Sequence, residues 1–431
     1  MMHDLKPTAR RSLYYGWYMA AACSGVAMIT WGIGVFNNGV FLGYFVDRYG
    51  WTRASLSIGP TLFHLWAGIM GIIVGRLIDR RGPRPVLLLG ALAMAAGVIL
   101  LGLTRQPWHT WPAFLLLGTG FACLHTVTLG KIIARWFLRH RTRAMAVATF
   151  GASLGGTLLV PLNVALLQRW GSAASGCVLA AVALCIILPL AVWVMKDGPE
   201  VLNLQPDGDR PLSDAPETDS VRADTYAWRV SEAWRTRAFW LLAISFSLGM
   251  FAQSGFLLHQ VMFLQLTFDL PGAAFVVMVT TLMGTVGRIS FAILDNHWQP
   301  RQVAIAVFLL QGIGMALSAY GRAPWLLTLA SAVFGLTMGV VVALQPLLTA
   351  ACFGQRAFGR IYGPIYFGIR FGAAVGPLVF GLMATTTGNY QGVFALSAAG
   401  LGFAALSIGW AVPPTPPLGV IRGVTRAEPA A

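Results

Sequence analysis

Arg288 is the one charge in a stretch of twenty-two residues, Ala273 to Leu294, that reads AAFVVMVTTLMGTVGRISFAIL. About 20 apolar residues at ~1.5 Å each cross ~30 Å of hydrocarbon, so the stretch has the length of a spanning helix. A charge inside such a helix costs roughly 2.5–3.5 kcal/mol even on the lenient insertion scale. Its default reading is therefore a functional group turned to a polar cavity. Arg370 poses the same question in a second apolar stretch. No Asp or Glu lies inside any apolar stretch to neutralise either group; Asp269 and Asp295 stand only at ends. A planar fork of donors matches a carboxylate better than an ammonium does. The chemistry these residues offer is the holding of an anion. Arg370 has a second reading, a guanidinium satisfied by carbonyls and water near a gate.

Other polar residues are set in apolar surroundings. His64, His125 and His259 are the embedded groups whose ordinary titration falls near neutrality. Each is a candidate to carry a coupling proton, and each also reads as a packed or cavity-bonding histidine. Asn37 and Asn38 are candidates to line a cavity, with helix-to-helix hydrogen bonding as the equal alternative. Lys131, one turn before Arg135, reads as a side chain reaching for the membrane surface, with closure of an inner gate as its functional alternative. Cys23, Cys123, Cys177, Cys185 and Cys352 have no motif spacing, so neither a metal site nor a disulfide framework is expected. Phosphate-cradling loops and catalytic dyads are not found, and no cofactor is expected.

The elements that must position these groups follow from composition. Of 431 residues, 57% are hydrophobic and 10% charged, against about 25% charged in an ordinary soluble protein. Alternating strands of the barrel type are lacking. The expected fold is an all-α polytopic membrane protein. Twelve spans are predicted, at 15–45, 54–78, 85–104, 111–135, 144–167, 173–195, 238–267, 273–294, 302–320, 325–351, 361–384 and 392–412. The N-terminal MMHDLKPTARRS runs straight into the first, with no cleavable signal expected. The net charge of +15 would point to nucleic acid in a soluble protein. Here the positives sit in short loops. One set of loops holds Arg76, Arg80, Arg81, Arg84, Arg135, Arg139, Arg141 and Arg143, among others, whereas the opposite set holds Arg48, Arg53, Arg105, Arg169 and Arg322. The imbalance predicts that the first set and both termini are cytoplasmic, in the cell membrane, and that no nucleic acid is bound. Arg288 then lies inward of the middle of its span. The backward lean of helical side chains carries it toward the bilayer centre.

Residues 196–237, rich in Pro, Asp and Ser, read as a cytoplasmic linker. They separate a six-helix bundle at 15–195 from another at 238–412, with a cytoplasmic N-terminus at 1–14 and a tail at 413–431. The halves resemble each other. Gly71, Gly75 and Asp79 are spaced like Gly287, Phe291 and Asp295, and Arg143, Phe150, Gly151 and Gly155 like Arg360, Phe367, Gly368 and Gly372. A duplicated unit with pseudo-twofold symmetry is expected.

The loop after the second span reads Gly75-Arg76-Leu77-Ile78-Asp79-Arg80-Arg81-Gly82-Pro83-Arg84. It resembles the G-x-L-x-D-R-x-G-x-R signature of the major facilitator superfamily. In that setting Asp79, Arg80 and Arg84 are gating residues, since a carboxylate paired with a base or a helix N-terminus is a contact whose rupture frees a gate. Tyr15-Gly16-Trp17, Ala134-Arg135-Trp136-Phe137-Leu138-Arg139-His140-Arg141, Gly287-Arg288 and the run from Tyr362-Gly363-Pro364 to Gly376-Pro377 are similar to the monocarboxylate transporter family and its bacterial relatives, including oxalate/formate exchangers. The resemblance implies that Arg288 holds the substrate carboxylate. It also implies that Arg370 falls near the place of a lysine that clamps a dianion in the exchangers. The chain departs from the animal proton-coupled members, which carry a lysine near Asn37-Asn38-Gly39-Val40-Phe41 and an aspartate near Gly284.

The expectation is a secondary transporter, working as a monomer, for a small organic carboxylate of the lactate or pyruvate kind. Arg288, Arg370, Asn37, Asn38 and His125 would line its site, with proton coupling through His64, His125 or His259. Oxalate/formate-type exchange is the alternative. An intramembrane enzyme or a non-transporting sensor is the alternative of another class.

Overall fold

The computed structural model describes residues 14–137, 140–196, 198–202, 204–208, 228–294, 298–354 and 358–414, without the side chains of 72, 79, 126, 127, 141, 142, 292–294 and 358–360. Eleven helices among them are long and apolar enough to cross a membrane. They are α1 (Tyr15–Tyr49), α2 (Arg53–Ile78), α3 (Pro83–Gly102), α4 (Pro107–Trp136), the long run Arg143–Val194, α7 (Arg237–Leu264), α8 (Leu270–Phe291), α9 (Pro300–Tyr320), α10 (Pro324–Phe353), α11 (Ile361–Thr387) and α12 (Gln391–Trp410). The long run is a hairpin. At Gly171 the backbone leaves the helical region (φ 77°, ψ −178°). Ser175 hydrogen-bonds to Asn163, whereas twelve residues along a straight helix are ~18 Å apart. The run is therefore two crossings, α5 (143–170) and α6 (172–194), and the crossings number twelve.

Local chemistry sets the ends. Thr52 and Thr236 accept the backbone N–H of Ser55 and Phe239 at 3.3 Å, capping α2 and α7. Pro83, Pro300 and Pro324 stand in the first turns of α3, α9 and α10, where a missing N–H costs nothing. Gly50, Gly82 and Gly354 end helices at φ of 67°, 77° and 72°.

The two halves use the same packing scheme. α1 lies on α5 as α7 lies on α11, and α2 on α4 as α8 on α10. Lipid gives helices no hydrophobic reason to associate, so close backbone approach at small residues takes over. A Cβ on Gly118 of α4 would meet the Phe63 carbonyl oxygen at 3.0 Å, and one on Gly335 of α10 would meet that of Thr280 at 2.2 Å. Gly151 and Gly155 press on the carbonyls of Ser24 and Met28; Gly372 and Gly376 press on those of Ser247 and Phe251. The structural partner of Gly151 is thus Gly372, not the expected Gly368. A row of glycines at 368, 372 and 376 matches itself after one turn, so its register is not readable from spacing.

The halves meet at one end and part at the other. At the end away from the basic loops, a Cβ on Gly39 of α1 would lie 2.5 Å from the Leu258 carbonyl of α7. There the Gln265 amide donates to Asp47, the Ala54 N–H donates to Thr385 at 3.2 Å, and Ser57 stands 3.1 Å from His259. Toward the basic loops, Cβ positions on Gly71 and Gly75 of α2 and Gly363 of α11 have nothing within 4 Å.

Candidate functional site

Arg370 sits on α11 where the halves begin to part. Tyr366, one turn earlier on the same face, takes its Nε–H at 2.7 Å on the phenolic oxygen and is also within reach of Nη2. The guanidinium carbon lies 4.8 Å from the centre of the Tyr366 ring and 5.7 Å from that of Phe121 on α4. Both distances are in the cation–π range. These rings hold the charge in place without cancelling it.

Two cavities share Arg370 and Phe121 in their walls. The smaller, about 40 Å³, lies toward the sealed end among Trp31, Asn38, His64 and Gln253. It has room for a few water molecules. Three of its buried polar atoms have no protein partner: Asn38 Oδ1, His64 Nδ1 and Gln253 Oε1. Buried polar groups are nearly always paired, so three orphans on residues that line one cavity are exceptions. The larger cavity, about 280 Å³, lies toward the basic end and is walled by α2, α4 and α11, with His125 among its lining. His125 stacks on Phe121, centroids 4.4 Å apart and planes at 18°.

Of the residues expected at a site, Arg370, His64, His125 and Asn38 are brought together here. The others lie elsewhere. Asn37 is buried one residue away and donates at 3.3 Å to the Leu159 carbonyl, at the end of a π-turn in α5. Arg288 does not line either cavity. Its side chain lies against Gly339 of α10, and Nη1 donates to the Thr149 carbonyl of α5 at 3.1 Å. A carbonyl satisfies a donor but does not neutralise a cation. Among the described residues the one ion pair is Arg135 with Glu200, on the exposed basic end. Neither embedded arginine has a carboxylate partner among the described residues.

His259 stands apart, at the sealed end. Nε2 is 3.0 Å from the Pro377 carbonyl and 3.1 Å from Ser57, and Nδ1 is 3.1 Å from the Tyr390 hydroxyl. The Pro377 carbonyl only accepts, which assigns the proton to Nε2 and leaves Nδ1 to accept from Tyr390. The Arg53 guanidinium carbon lies 5.5 Å from the Tyr390 ring centre. Lys131 donates to the Gly75 carbonyl of α2 at 3.2 Å, within its own half. Arg84 Nε donates to the Met195 carbonyl at 2.7 Å, tying α3 to the end of α6. Arg80 is exposed. The Asp79 side chain lies outside the described ones.

Sequence reasoning missed Tyr366, Phe121, Trp31 and Gln253. Tyr366 had a signal, an aromatic four residues before an embedded arginine. The others sit on separate helices and had none. Ser57 and Tyr390 likewise carry no mark in the sequence.

Residues 20–363 match the family model described as Major Facilitator Superfamily. Monocarboxylate transporter 12 of Rattus norvegicus is 24% identical over 424 residues, covering 92% of this chain and 85% of the relative. Monocarboxylate transporter 13 of Bos taurus is 26% identical over 404 residues, covering 89% and 86%. Among solved structures, the nucleoside transporter NupG (D323A mutant) superposes with a TM-score of 0.69 at 13% identity, over 92% of this chain and 99% of that one. At that identity the likeness is one of fold. The twelve crossings, the doubled six-helix scheme and the family match agree: the chain belongs to the Major Facilitator Superfamily of membrane transporters, and its similarity along nearly all its length is to monocarboxylate transporters.

Proposed function

We propose that this protein carries a small organic monocarboxylate across the cell membrane by alternating access, with its carboxylate on Arg370. The observation that carries the reading is Arg370 itself, an embedded cation in the walls of the two cavities it shares with Phe121, with no described carboxylate beside it. An arriving anion cancels the charge and lowers the cost of closing the cavity around it. His64 and His125 stand beside Arg370 in the cavity walls, whereas Asn38 and Gln253, whose unpaired atoms are acceptors, suit a water or a substrate hydroxyl rather than the carboxylate.

Arg288 serves the passage from the opposite wall. In this state it grips α5 through Thr149; when the halves rock, the carbonyl is exchanged for the substrate carboxylate. Arg288 and Arg370 do not share a described cavity here, which supports one carboxylate per passage over a clamped dianion. The basic end is cytoplasmic, both termini included, so the state described is open to the cytoplasm and sealed outside. Asp79, Arg80, Arg84 and Lys131 belong to the gate on that open side.

Proton coupling runs through His259. It joins α7 to Ser57 of the other half and to Pro377 and Tyr390 of its own. A proton arriving at Nδ1 turns that nitrogen from acceptor to donor, so the Tyr390 hydroxyl has to reverse its bond. Arg53 faces the same corner and repels the new charge. Both effects loosen the outer seal. The transporter works as a monomer.

Counterflow in proteoliposomes, with labelled carboxylates and with or without a pH gradient, tests the reading. Exchange of at least one monocarboxylate, enhanced by an acidic outside, is expected. A panel of monocarboxylates without any exchange would overturn it.

A further inference from the structure

The larger cavity carries information about what lies behind the carboxylate. Its volume, about 280 Å³, is an order of magnitude above the ~10–15 Å³ that houses one water. It approaches the low end of pockets for drug-sized molecules, ~300 Å³. A two- or three-carbon acid on Arg370 leaves most of it unfilled.

Apart from Arg370 and His125, the walls are largely apolar. One is made of small residues, Ala67, Gly68 and Gly71 of α2. The rings of Phe121, Tyr366 and Phe367 also line the cavity. Cβ positions on Gly71 and Gly363 have nothing within 4 Å. His125 lies parallel to Phe121, and Arg370 lies over both Phe121 and Tyr366, so an entering ring would meet the edges of these rings and Phe367. Aromatic rings favour offset-stacked or edge-to-face neighbours, and such a pair is worth ~0.5–1.5 kcal/mol beyond its buried area. Among the described residues no Asp or Glu lines either cavity. An ammonium group would find no described carboxylate there and would stand beside Arg370.

Resting on the carboxylate reading above, we infer that the preferred substrate is an aryl or arylalkyl monocarboxylate without an amino group. Its carboxylate meets Arg370, and its ring occupies the slot between the α2 glycines and the aromatic side chains.

The test is uptake into proteoliposomes of the full chain. Labelled pyruvate, benzoate, phenylacetate and 3-phenylpropionate are compared with zwitterionic phenylalanine. An aryl acid should be taken up at least tenfold faster than pyruvate at equal concentration, with phenylalanine at background. Gly71→Leu and Gly363→Leu, each placing a side chain in open space, should lower the aryl-to-pyruvate ratio at least tenfold. Uptake of pyruvate with aryl acids at background, or an unchanged ratio in both variants, overturns the aryl assignment and leaves the carboxylate reading standing. Uptake of phenylalanine as fast as of the aryl acids also overturns it. Failure of every carboxylate overturns both.

Discussion

The Arg288 guanidinium donates to the Thr149 carbonyl oxygen at 3.1 Å, and so fastens α8 of one half to α5 of the other. A hydrogen bond from a charged group contributes ~1.5–3 kcal/mol, enough to bias which face is open but not to lock it. This cation reaches across the seam that has to move. Arg288→Ala should therefore do two things. Carboxylate uptake should fall at least tenfold, and the protein should still be inserted and monodisperse in detergent. Arg288→Lys keeps the charge but not the fork and should recover only part of the rate. Uptake assays beside size-exclusion profiles would check both; wild-type uptake in the alanine variant would remove Arg288 from the cycle.

The second prediction concerns the seal opposite the basic loops. His259 touches Ser57, Pro377 and Tyr390. His259→Gln keeps a donor and an acceptor but binds no proton. The variant should still exchange labelled substrate across equal pH, and its net uptake should no longer rise when the outside is acidified. The sign follows from the ring: protonation loosens the seal, so acid outside speeds opening in the wild type. A variant whose uptake still climbs on acidification would move the coupling to His64, His125 or another group.

A third prediction separates the glycines that make contacts from those that do not. A Cβ at Gly372 would stand 2.3 Å from the Ser247 carbonyl oxygen, and one at Gly287 1.8 Å from that of Leu336. Gly372→Ala and Gly287→Ala should each cost ~1–3 kcal/mol, the usual penalty for overpacking, and lower the melting temperature in detergent. Gly402, with nothing within 4 Å of its Cβ position, serves as the control. Gly402→Ala should be neutral or slightly stabilising, because alanine is the better helix former by ~0.5–1 kcal/mol. Equal melting temperatures for all three would contradict the packing described.

Much of this was legible in the sequence, for reasons that can be stated residue by residue. Helix lengths and the basic loops are one-dimensional signals, and the twelve crossings follow from them. The turn at Gly171 lies within one unbroken helical run, yet the sequence marks it with Gln168, Arg169 and Gly171 between the spans expected at 144–167 and 173–195. Arg288 and Arg370 stood out because a charge in an apolar stretch has few explanations. Their surroundings did not. Arg370 owes its position to Phe121, 249 positions away in the chain, and only the packing of α4 and α11 on the same helix, α2, brings them together. Arg288 was expected at the cavity. Its engagement with a backbone carbonyl depends on the relative placement of two halves, which no local pattern encodes. The His259 corner draws on α2, α7, α11 and the start of α12, and is invisible for the same reason.

The central claim is that Arg370 holds the travelling carboxylate. The most direct measurement is equilibrium binding of a radiolabelled monocarboxylate, from the panel above, to purified protein carrying Arg370→Gln or Arg370→Lys. The account predicts a loss of affinity of at least tenfold in the glutamine variant and a smaller loss in the lysine variant, with melting temperatures near that of the unsubstituted protein. Unchanged affinity in a stable Arg370→Gln protein would contradict it.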